Sequence, residues 1–134
     1  MWFHDAVYDP QSRNNEGDSA ALAERLLPAA GWPAADVERV CRIVLDTAAH
    51  RPTVPGSDVV LDLDLMSLAA PWPVFCRNGE NIRTEYVHVP DAEFRAGRRA
   101  FLTARLERER LFHSPFGASW EASARANLAR AIRE

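Results

Sequence analysis

The sequence of 134 residues holds only two cysteines, Cys41 and Cys76, and they lie far apart without a paired-motif spacing. That excludes a disulfide framework and leaves both thiols expected to be reduced. No basic-then-apolar leader and no apolar run of membrane-spanning length occurs, so a cytoplasmic location is expected and a membrane partner is not. Sixteen basic side chains stand against nineteen acidic ones, a formal charge of −3. This balance argues against a broad electrostatic footprint for nucleic acid, and small-molecule chemistry fits better. Repeats, low-complexity tracts and an interdomain linker are also missing. The hydrophobic share of 47% and the charged share of 26% are those of a folding globular chain, so a single domain over residues 1–134 is expected, long enough to bury a core.

Helical periodicity dominates. Trp2-Phe3-His4 is already apolar-periodic with no N-capping residue or turn signal ahead of it, so the sequence reads as beginning inside a helix. Residues 9–18 are dense in turn formers and read as an ordered loop. Asp18 or Ser19 is the natural N-cap of the next helix, which places Leu22, Leu26 and Ala30 on one face before Gly31 ends it, with Pro28 weakening its last turn. Pro33 suits the first turn of a second helix, where Val37, Val40, Cys41, Val44, Leu45 and Ala48 follow the i, i+3, i+4, i+7 template as far as His50. The prolines and glycine of residues 51–56 then enforce a loop.

Residues 58–68 admit two readings. Leu61, Leu63 and Leu65 alternate with Asp62 and Asp64 as in a strand, whereas Val59, Leu63 and Met66 fit a helical stripe. A lone strand would lack ladder partners, which favours the helix. Further helices are expected over 72–87, from Asp91 with Phe94, Phe101, Leu102 and Leu106 on one side, and over 119–133 with Trp120, Ala124, Leu128 and Ala131 inward. The Arg-Glu alternation of 105–110 reads as a solvated face. The expected fold class is all-α, a compact bundle of six or seven helices.

Candidates for chemistry are few. His4 and Asp5 put a neutral imidazole beside a carboxylate among apolar Trp2, Phe3, Ala6 and Val7, two ligand types for first-row metals. His50 follows at a helix end, then Asp62 and Asp64 within a Leu-rich segment, where an inward carboxylate needs a cation or a donor. Residues two apart on a helix point about 200° apart, so only one of those two can face fully inward. The plainer reading of His4 is a packed or capping side chain.

The order His-Asp, then His, then Asp on separate helices resembles the HD-domain superfamily of metal-dependent phosphohydrolases, whose pattern is an upstream His, a His-Asp doublet and a distal Asp. Residues 2–10, Asn15-Glu16, Ser19-Ala20, residues 62–65, residues 85–91 and residues 94–98 resemble a small bacterial branch described as predicted HD-superfamily metal-dependent phosphohydrolases, over nearly the whole chain. The resemblance implies an HD-like helical fold and a divalent ion such as Mn, Fe or Mg. It carries the doublet onto His4 and Asp5 and the distal Asp onto Asp64, with Asp62 the runner-up. His50 would be an outer ligand or a contact to substrate phosphate. The branch's upstream His, on a preceding helix, would lie before Met1, so by this resemblance the chain lacks one ligand and one core helix. A groove lined by Trp2, Phe3, Val7 and the inner faces of the next two helices is then expected. Tyr86 and His88 match branch signature residues; as side chains they read as a staple of the junction before Pro90.

The implied activity is hydrolysis of a phosphomonoester or nucleotide-like small molecule. Asp5 would bridge metal and water, Glu16 would orient the nucleophile as base, and Arg51 or Arg13 would meet the substrate phosphate. A solvated surface charge is the plainer reading of each arginine. The alternative is a non-catalytic or degenerate HD-like binding module, a homo-oligomer in which His4-Asp5 survives as a structural pair.

Overall fold

The computed structural model describes residues 2–134 and is all-α: α1 (Asn15–Ala29), α2 (Ala34–Ala49), α3 (Ser57–Leu65), α4 (Trp72–Glu85), α5 (Asp91–Leu106) and α6 (Glu121–Arg133), with 3-10 turns at Met66–Ala69 and Gly117–Trp120. No strand occurs among the described residues, and the contested Leu-Asp segment is helical. The chain forms two compact units whose boundary falls inside α3, after Leu61.

In the first unit the opening residues are not helical. Residues 2–5 form a turn and residues 6–7 a bend, because the run of turn formers that follows leaves too few residues to propagate a helix. Reciprocal side-chain bonds replace the helical ones. The Ser19 hydroxyl accepts from the Val7 N–H at 2.9 Å and donates to the Val7 carbonyl at 3.2 Å. The Asn15 amide does the same for Asp9, each bond 2.9 Å. Ser19 is therefore no N-cap; α1 starts earlier, with the Asp18 N–H on the Asn14 carbonyl.

That stitching fixes which side of α1 faces inward. Ala20, Ala23 and Leu27 are buried, while Leu26, expected inside, is 46% exposed. Their small side chains let α2 come close enough for the Cys41 thiol to donate to the Ala20 carbonyl, and Val37, Val40 and Phe3 complete this core. Burial, with the Glu24 charge adding to it, pushes the Cys41 thiol above its ordinary pKa. On α2, Leu45 turns out to be exposed and Asp46 and Thr47 buried.

Asp46 has no counterpart in the hydrophobic pattern. Its carboxylate accepts from the Thr53 N–H at 2.8 Å, the Thr53 hydroxyl and the Ser57 hydroxyl at 2.6 Å, binding the end of α2 to the start of α3 across the proline-rich loop. Asp46→Ala would strand these donors. We expect a loss of about 2–4 kcal/mol in a denaturant melt, and Asp46→Asn to recover part of it. A melt indistinguishable from that of the unaltered protein would refute the assignment.

The second unit has its own core of Leu65, Leu68, Phe75, Leu102, Leu111, Phe112, Ala124 and Leu128. On α3 the buried leucines are Leu61 and Leu65, not the expected stripe, and Val59 and Met66 are exposed. The loop after α5 is held by side chains of α6. Arg125 donates to the carbonyls of Leu106, Arg108 and Glu109, and Glu121 accepts from the N–H groups of Leu111 and Phe112. The α4–α5 junction is a staple, as Tyr86 and His88 suggested: their rings stack at 5.9 Å and Tyr86 meets Phe94 at 6.2 Å. Arg83 completes it from above the Phe94 ring, donating to the Tyr86 and Val89 carbonyls and to Asp91. Arg83 also holds the Asp91 carboxyl below its ordinary pKa. Among the described residues no single helix is long and apolar enough to cross a membrane.

Candidate functional site

The first unit presents the His-Asp doublet on the turn at its start. His4 Nε2 lies 3.2 Å from Asp5 Oδ2, with the imidazole mostly covered and the carboxylate 60% exposed. Neighbouring side chains in sequence meet in this way because the chain turns here; on an α-helix adjacent residues diverge by about 100°. Phe3 pins the segment on one side, packed on the α1–α2 core, and Ser19 and Asn15 pin it on the other. Asn15 and Ser19 thus hold the segment just after the doublet, at Asp9 and Val7.

A spacing of 3.2 Å suits two donors of one ion. Ligands about 2.1 Å from a tetrahedral or octahedral centre stand about 3.0–3.4 Å apart. An imidazole nitrogen with carboxylate oxygens is a donor set for Mn, Fe, Zn or Mg rather than for a soft thiophilic ion.

The remaining first-unit candidates sit on α1, at the end of α2 and in the loops beside them. Glu16 sits in the first turn of α1 and is part-buried. Arg13 and Arg51 are exposed in loop segments. His50 is the C-cap of α2, buried and in the left-handed region at φ 48°, ψ 55°. A histidine in that conformation is uncommon outside helix ends, so its backbone place is accounted for by termination of α2.

Beside the doublet is a hollow of about 550 Å³, lined by Trp2, Phe3 and His4, by Leu27 of α1, by Val44 of α2 and by Trp32 between the helices. Of the residues expected to line a groove, Trp2 and Phe3 are on its wall and Val7 is not. Trp2 stands at 95% exposed at the hollow, whereas Phe3 is half-buried.

In the second unit the two aspartates of α3 separate as the helical period requires. Asp62 is fully buried. One oxygen accepts from the His113 N–H at 2.7 Å, and the other from the Ser114 N–H at 2.8 Å and from the Ser114 hydroxyl. The donors that an inward carboxylate needs come from the 113–114 loop, which has no signal in a hydrophobic pattern. Asp64 is part-buried on the other side of the helix. Its charge is felt by Arg105: burial, then Arg108, pull that guanidinium below its ordinary pKa, and Asp64 works against both. Residues 105–110 are accordingly not one solvated face, since α5 stops at Leu106 and Arg105 is part-buried.

No protein-family model, curated protein or solved structure matches the chain.

Proposed function

We propose that this protein is a divalent-metal-dependent phosphohydrolase acting on a small phosphomonoester or nucleotide-like compound, with His4, Asp5 and Asp64 as ligands. The observation that carries the reading is the His4–Asp5 pair, whose 3.2 Å separation is suited to two donors of one ion. His4 and Asp5 each offer one ligand atom, and Asp64 is the distal ligand that the family resemblance proposes. Of the two aspartates on α3, Asp64 is preferred because the Asp62 oxygens are already engaged by three donors.

Bound there, a divalent ion supplies Lewis acidity toward a phosphoryl oxygen and acidifies a water. The chain's own part is narrower. His4 offers an imidazole nitrogen beside the largely exposed Asp5 carboxylate, and Phe3 anchors their turn on the α1–α2 core. Glu16 is the proposed base that orients the nucleophile, and Arg13 and Arg51 are proposed to meet the phosphate.

Metal analysis combined with hydrolysis of a generic phosphomonoester tests this. One equivalent of a divalent metal is expected in the purified protein. Chelation should abolish turnover, and Asp5→Ala should lower it at least 100-fold while changing the melting temperature by no more than about 3 °C, since the side chain is largely exposed. Turnover that persists in chelator contradicts the proposal. Unfolding of Asp5→Ala would instead favour the non-catalytic module, in which the doublet is structural.

A further inference from the structure

The geometry points to the hollow beside His4 as a receptor for a hydrocarbon or aryl group, so that the site would take alkyl or aryl phosphomonoesters in preference to nucleotides. This rests on the phosphohydrolase reading for the phosphate and on the hollow alone for the apolar group.

Three observations converge. First, the hollow belongs wholly to one unit and has about 550 Å³, inside the range of about 300–1,000 Å³ typical of small-molecule sites. Second, its walls are hydrocarbon and indole: Leu27, Val44, Trp2, Trp32 and Phe3, with His4 as the one hydrogen-bond-accepting side chain among the described residues that line it. Among those residues an exocyclic amino group of a nucleobase would find no other side-chain acceptor, and each donor left unsatisfied opposes binding. A phenyl or alkyl group loses nothing of the kind. Third, His4 belongs both to the wall and to the doublet, so an apolar group inside the hollow leaves its phosphate beside Asp5. Trp2, almost entirely exposed, supplies an indole face at the mouth.

Calorimetric titration with phenylphosphonate, methylphosphonate and adenosine 5′-monophosphate, each with manganese and with chelator, tests the inference on the full chain. Toluene serves as a neutral probe. Phenylphosphonate should bind at least 10-fold more tightly than methylphosphonate, the scale that burial of a ring gives at about 25 cal/mol per Å². Adenosine 5′-monophosphate should gain no such advantage over methylphosphonate. Ala30→Phe places bulk on the wall from an exposed position and should cut the phenyl advantage to about 2-fold, and Trp32→Ala should reduce it as well. Neither should alter methylphosphonate binding. The two readings fail separately. A phenyl preference and toluene binding that are the same with manganese and with chelator would keep this inference and discard the metal. Metal-dependent phosphonate binding with no phenyl preference would keep the metal and overturn this inference. Absence of toluene binding and of any phenyl preference overturns it whatever the metal does, as would a concentration-dependent dimer that buries Trp2 and that none of these compounds dissociates.

Discussion

Asp62→Ala is expected to lower the melting temperature by about 10–20 °C, the largest stability loss available from one polar side chain in this protein. The carboxylate is fully buried and answers three donors, the His113 and Ser114 N–H groups and the Ser114 hydroxyl. Removing it leaves those donors without acceptors in a place that water does not reach. Each unsatisfied buried group costs about 1–3 kcal/mol, and three donors lose their acceptor together. For a chain of this length each kcal/mol is worth roughly 3–5 °C. Asp62→Asn should fall between, because its amide keeps one acceptor but turns a donor toward donors. Metal content per folded molecule should not change in either variant. A melt within about 3 °C of the unaltered protein would contradict this role for Asp62. Loss of metal without loss of stability would make Asp62 the distal ligand and displace Asp64.

Gly117→Ala is expected to be nearly as damaging, at about 2–4 kcal/mol, for a steric reason that shares the same carboxylate. A β-carbon at residue 117 would fall inside contact distance of Asp62 Oδ2 and Cγ and press on the Phe112 β-carbon. The Gly117 N–H in turn donates to the Ser114 hydroxyl that itself bonds Asp62, which ties the turn to the same carboxylate. The carboxylate must therefore shift off its donors or the turn must open. The coupling is measurable: in an Asp62→Ala background the space is vacant, so Gly117→Ala should cost at least about 1.5 kcal/mol less than it does alone. Equal costs in the two backgrounds would show that Gly117 is constrained by something other than Asp62.

Several expectations from the sequence failed for one shared reason. The stripe on α1 was placed at Leu22, Leu26 and Ala30, but the buried side is Ala20, Ala23 and Leu27. Side-chain size misleads here, because a close helix contact selects small residues and the fixed Ser19–Val7 bonds set the rotation. The opening residues carry a helical hydrophobic pattern yet form a turn, since periodicity reports what could be buried together and not whether a first helical turn can nucleate. Ser19 has the chemistry of an N-cap and uses it on a distant backbone instead. In each case a local preference worth a fraction of a kcal/mol yielded to a long-range bond or a packing contact.

By itself, then, the sequence determined the helical class, the positions of α2, α4, α5 and α6 to within a few residues, and the helical state of the Leu-Asp segment. Those are questions of period, proline and capping, which neighbours within a few residues settle. It also singled out His4-Asp5 as an unusual adjacent pair, and its two aspartates on α3 as a choice of one inward carboxylate. Which aspartate is inward was decided by tertiary structure, through backbone donors at His113 and Ser114 that lie 51 and 52 residues away. So were the role of Asp46 as the clasp of the proline-rich loop and the anchoring of Val7 and Asp9 by Ser19 and Asn15. A carboxylate states in sequence that it needs donors; only the fold states where those donors come from.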